Sequence, residues 1–223
     1  MRYIWLSLLA LAVTAPPARA ACGFLNDQPA ENHYAKTSPD HRFTVVKDIC
    51  GNTSDKAELR DRSGHKLADI PGLLDDDAMP VTVVWSADSR WFFANHHIGS
   101  FMDRLQVFQI VGGKAVERPA LFTAAARLAH RRYPCLTTRA VTGDGMGWTR
   151  DNRHIALFTT ASPDACLDFD APGEPETGVF RDLVMIGDVR SGRIDPASVR
   201  VFAVPAKLPH DGPYAAVIPA KAW

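Results

Sequence analysis

His96 and His97 are adjacent, with Asp103 nearby, and they are the nearest thing in this 223-residue chain to a metal or proton-transfer set. Their spacing argues against a metal pair, because neighbours on a strand point to opposite faces. No partner motif with zinc-like spacing accompanies them, so they read as a solvated strand end. Asp75, Asp76 and Asp77 form a compact acidic run, and Asp164, Asp168, Asp170, Glu174 and Glu176 a looser one. Calcium takes several loop oxygens, but neither run follows D-x-D-x-D-G, and both read as solvated loops. The stretch TGDGMGW from Thr142 is glycine-rich, precedes a strand and lacks lysine. A phosphate loop must open a helix, so this one reads as a turn. Serine, histidine and aspartate abound, yet there is neither a G-x-S-x-G elbow nor an H-E-x-x-H helix. No catalytic residue is assigned, no cofactor is expected and the metal question stays open. The residues kept as candidate binding positions are His96, His97 and Asp103 in one loop, and Asp168 and Asp170 in the loop 162–178.

The elements that must position these residues recur. Ser38-Pro39-Asp40-His41-Arg42, Ser86-Ala87-Asp88-Ser89-Arg90 and Thr149-Arg150-Asp151-Asn152-Arg153 share one form, hydroxyl–x–Asp–x–Arg, followed each time by an apolar run. Trp85 and Trp148 precede the second and third copies. Each copy is followed by a second pattern, a strand, a glycine-bearing turn and a short strand. These begin at Ala57, Arg104 and Asp182, with turns at Ser63-Gly64, Gly112-Gly113 and Ser191-Gly192. Glycine suits such turns because they need positive φ. Repeats of roughly 20–50 residues or somewhat more mark solenoids, propellers or arrays. The pattern predicts a mostly β chain of three four-stranded antiparallel units. Asp40, Asp88 and Asp151 hold the reversals by accepting backbone N–H groups, and Arg42, Arg90 and Arg153 reach back to a carboxylate or lie along a sheet edge. One segment departs from this. Residues 118–132, RPALFTAAARLAHRR, place Leu121, Phe122, Ala125, Leu128 and Ala129 on one face and predict an inserted helix.

WSADSR and WTRDNR, with RSGR and RSGH, resemble the WD40-like, or PD40, β-propeller repeat of the periplasmic TolB type. The likeness covers about 36–75, 81–118 and 145–203. It departs where the family has glycine after the aspartate, at His41, Ser89 and Asn152. The resemblance implies a small or incomplete propeller-like architecture and carries no catalytic residues. Three units leave open edges, which propellers of four to eight blades do not. A fourth sheet from the termini, a second chain, a compact non-propeller packing or capping by other segments would each resolve this. Capping in a monomer is the expectation.

The first twenty residues begin with Arg2, continue with an apolar run from Ile4 to Val13 and end in Ala18-Arg19-Ala20. They predict a secretory signal peptide, leaving 21–223 as a single β-repeat domain in the periplasm or secreted. Basic and acidic residues balance at 25 each. Such a balance does not call for a nucleic-acid partner, and no later apolar run is long enough for a membrane span. Cys22, Cys50, Cys135 and Cys166 allow three disulfide pairings in an oxidising compartment, of which Cys22–Cys50 with Cys135–Cys166 closes local loops. Asn52-Thr53-Ser54 is a glycosylation sequon, meaningful only in a glycosylating host. The expected function is a non-catalytic binding or interaction module of the cell envelope, with an envelope protein as partner. The alternatives are an envelope hydrolase with its site in the loops, and a structural subunit of an oligomer.

Overall fold

A computed structural model describes residues 33–48, 57–71, 73, 81–99, 102–133, 141–161, 181–203 and 208–220. The first twenty residues, all four cysteines, the sequon, both acidic runs, Asp168 and Asp170 lie outside the described residues.

The chain is mostly β, antiparallel, with one α-helix. The first sheet has the order β1 (His33–Thr37), β2 (Phe43–Asp48), β3 (Glu58–Asp61), β4 (Lys66–Asp69). The second repeats it with β5 (Val81–Trp85), β6 (Trp91–Gly99), β7 (Met102–Val111) and β8 (Lys114–Glu117). Helix α1 follows at Ala120–Arg132. The third sheet begins alike, with β9 (Val141–Thr149), β10 (His154–Ala161), β11 (Arg181–Asp188) and β12 (Arg193–Ile194).

The third sheet is six-stranded, not four-stranded as the repeat predicts. Asp195-Pro196 interrupts its outer strand with a short 3-10 helix at Pro196–Ser198, because proline cannot donate to the ladder. The chain then rejoins β11 as β13 (Arg200–Ala203). The sixth strand, β14 (Val217–Pro219), lies antiparallel along the other edge, on β9.

The core is serial. Trp91, Phe92, Phe93 and Ala94 are all buried, with none of the alternation of a half-exposed strand. A run of this kind marks a strand covered on both faces. Phe92, Ala94, Phe108 and Trp85 pack with Val45 and Leu59 of the first sheet, and the Phe92 and Phe108 rings stack at 4.8 Å. Trp91, Phe93, Leu105 and Val107 turn the other way, toward α1 and the third sheet. Burying a side chain of this size stabilises by about 1.5–3 kcal/mol. Helix α1 buries Leu121, Ala125 and Ala129, and ends with His130, Arg131 and Arg132 where the dipole favours positive charge. It reaches the third sheet closely because Gly187 and Gly192 lack a side chain. A Cβ there would stand 2.2 Å from Leu121 and 2.5 Å from Ala120 respectively. A smaller cluster, Ala156, Val184, Ile186 and Tyr214, joins the third sheet to the C-terminal segment.

Among the described residues no helix is long and apolar enough to cross a membrane.

Candidate functional site

The three Asp turns share one geometry. The amide of His41 donates to Ser38 O, that of Ser89 to Ser86 O and that of Asn152 to Thr149 O. His41, Ser89 and Asn152 all take the left-handed conformation, at φ 57°, 58° and 57°. Each directly follows the aspartate of its turn. Each aspartate accepts the preceding hydroxyl, Ser38 at 2.8 Å, Ser86 at 2.7 Å and Thr149 at 2.5 Å. Each also accepts the amide two residues on, from Arg42, Arg90 and Arg153. The hydroxyls in turn accept the amides of Phe43, Trp91 and His154. All three are held by their turns and are poorly placed to act as nucleophiles.

Thr149, Asp151 and His154 have the residue types of a catalytic triad, but not its order. The carboxylate stands in the middle, with His154 Nδ1 2.7 Å from Asp151 Oδ2 and the hydroxyl on the other side. A nucleophile needs its base beside it. Burial pushes the Asp151 carboxyl upward, but the bonds from Thr149, the Arg153 amide and His154 prevail and lower it to about 2. Burial raises Asp40 as well, and the Arg42 amide, Ser38 and the Arg42 guanidinium outweigh it, holding the group well below the usual carboxylate range.

The turns are tied to one another in sequence order. Trp85 Nε1 donates to Lys36 O at 3.1 Å, and Trp148 Nε1 to Val84 O at 3.0 Å. Asp40 N donates to Ser89 Oγ, and Ala87 N to Asn152 Oδ1. The same contact therefore joins the first sheet to the second and the second to the third. Further bridges support it. Tyr34 Oη accepts the Val83 amide, and Asn95 makes two bonds to the Gly145 backbone at 2.8 and 2.7 Å.

These ties bring β1, β5, β9 and β14 around an open cavity of about 450 Å³. Trp85, Trp148 and Val83 supply apolar wall, closed on one side by Ile218 and Pro219. Lys36, Thr82, His41 and Asn152 supply its polar groups. Volumes of about 300–1,000 Å³ with a few placed polar groups are typical of ligand sites. The sequence did not single this cavity out. The Trp–Ser/Thr pairs at 85–86 and 148–149 were its only local signal.

The positions predicted from sequence fare differently. His96 and Asp103 do not belong to a loop. β6 runs to Gly99 and β7 starts at Met102, with His96 opposite Arg104 and His97 opposite Asp103. His96 is not a solvated strand end either, being 3% exposed. It continues the alternation of Phe92 and Ala94, the face turned to the first sheet. Of the side chains of His97 and Asp103 nothing is described. TGDGMGW is not a turn but part of β9, because its glycines admit close neighbours. A Cβ on Gly145 would meet the Phe93 ring at 2.6 Å, and one on Gly147 would meet Ile218 O at 2.2 Å. Among the described residues no three His, Cys, Asp or Glu side chains are grouped to hold a metal.

No family model matches the chain, and no curated protein matches it either. Among solved structures it is similar to an uncharacterised protein, lmo1340, from Listeria monocytogenes EGD-e. The two are 10% identical with a TM-score of 0.37, over 76% of this chain and 39% of that one. A likeness so slight carries no argument about fold or function.

Proposed function

We propose that this chain is an exported, non-catalytic binding module of the cell envelope, on a propeller-like scaffold of three repeated units related to the WD40-like, TolB-type repeat. The observation that carries the reading is the cavity lined by Trp85 and Trp148. Repeated Trp-to-carbonyl ties build it from the first strands of all three sheets, and its wall is two indoles beside a few polar side chains. Rigid scaffolds commonly carry binding residues on the segments that they position. The partner is an envelope protein that inserts an apolar side chain between Trp85 and Trp148. The N-terminal pattern of Arg2, the apolar run and Ala18-Arg19-Ala20 supports export.

The test is capture from a cell-envelope extract by the purified chain and by a Thr82→Trp variant that fills the cavity. A stoichiometric partner held by the first and lost by the second supports the reading. A partner held equally by both counts against it. Turnover of an envelope substrate by a chain that captures nothing favours the hydrolase alternative.

A further inference from the structure

The three sheets can be compared position by position, and one of them breaks the pattern of charge. The residue facing the first position of the second strand is Asp61 in the first sheet, Gln109 in the second and Asp188 in the third. In the third sheet Asp188 neutralises the turn arginine, accepting from Arg153 Nε at 3.0 Å and Nη2 at 2.7 Å. In the first, Arg42 is paired with Asp40. In the second, the carboxylate is an amide. Gln109 Oε1 accepts from Arg118 instead, at 2.8 and 3.2 Å. Arg90 has no carboxylate partner among the described residues.

Arg90, Arg118 and Arg190 line one open cleft between the second and third sheets, of about 530 Å³, with Trp91 and Gln109 as its other walls. No acidic side chain lines it. The repeat-related groove between the first and second sheets holds Arg42 and Arg90, but presents Gly112 and Gly113 of a hairpin turn where this one presents Arg190, and nothing in its lining corresponds to Arg118. The scaffold is the same, and the added cations are in one groove only.

We propose that this cleft binds a phosphate group. Guanidinium forks match the oxygens of a phosphate in paired bonds, and three unneutralised forks from three separate elements suit a dianion. Gln109 orients Arg118 without cancelling its charge. The cleft is larger than a bare phosphate needs, so the group is carried on a larger molecule. The site shares no lining residue with the Trp85–Trp148 cavity and does not depend on the reading proposed for it.

Calorimetry of the purified chain at low ionic strength, with inorganic phosphate and with vesicles of phosphatidic acid or phosphatidylcholine, tests this. Saturable binding of phosphate, one per chain, points to a soluble phosphoester. Binding of phosphatidic acid vesicles alone points to a lipid headgroup, by the same chemistry. Gln109→Asp restores the carboxylate of the other sheets and is expected to weaken binding at least about tenfold, as is Arg190→Gln, with melting curves confirming that both fold. Arg42→Gln is expected to leave binding unchanged. No binding of either probe overturns the proposal. So does binding that survives Gln109→Asp and Arg190→Gln, or that falls equally in Arg42→Gln.

Discussion

His41, Ser89 and Asn152 occupy the same left-handed position, at φ values of 57°, 58° and 57°. That conformation costs a residue with a Cβ about 1–2 kcal/mol, less for asparagine. Two of the three offset the cost by reaching the preceding turn, Ser89 to the Asp40 amide and Asn152 to the Ala87 amide. His41 makes no such bond among the described residues. His41→Gly is therefore expected to stabilise by about 1 kcal/mol, raising Tm by roughly 2–4 °C. Asn152→Gly is expected to lower Tm, since the Ala87 amide loses its acceptor at a cost of about 1 kcal/mol. Thermal melts of the two variants decide it, and a shift of the same sign in both would refute the account. The turns themselves were legible in the sequence, because hydroxyl, aspartate and arginine act within six residues. The reason for a side chain at these left-handed positions was not, because Ser89 and Asn152 act on another sheet.

At the scale of elements, the hairpins announced themselves and β9 did not. Asp40, Asp88, Gly64 and Gly192 mark reversals that are closed by local bonds. Gly143, Gly145 and Gly147 look the same in the sequence but serve contacts with Phe122, Phe93 and Ile218, far along the chain. Three glycines in nine residues are then read as a turn, although glycine within a strand often marks a close approach. The same limit hid the burial of His96, which depends on the neighbouring sheet. It also hid β14, too short to carry a pattern. Gly145→Ala is expected to destabilise by about 1–3 kcal/mol through overpacking on Phe93. Gly147→Ala should act more locally, displacing β14 from β9. Hydrogen exchange at the Ile218 amide, fast in Gly147→Ala and slow in the parent, is the readout. Slow exchange in both would show that the strand tolerates the extra carbon.

In the whole molecule, the C-terminal segment covers what the third sheet would leave open. Burial pushes the Tyr214 phenol up to about 12, and its hydroxyl donates to Ser198 O at 2.6 Å, anchoring the segment over Ala156, Val184 and Ile186. Beyond it, β14 occupies the free edge of β9. Exposed edges and apolar faces invite pairing between chains. A chain ending at Lys207 is expected to form concentration-dependent oligomers in light scattering, where the full chain keeps one mass. A monodisperse monomer from the truncated chain would show that the edge is harmless. The serial core has a consequence of another kind. The described clusters join the first sheet to the second and the second to the third, and none joins the first to the third. Stability in such an array is a sum over neighbours rather than the property of a closed ring. The second sheet, anchored on both faces, is expected to melt last. The first sheet, held on one side, is expected to open below the free energy of global unfolding, read as faster hydrogen exchange in β2 than in β6, so that the terminal unit breathes while the middle of the protein stays shut.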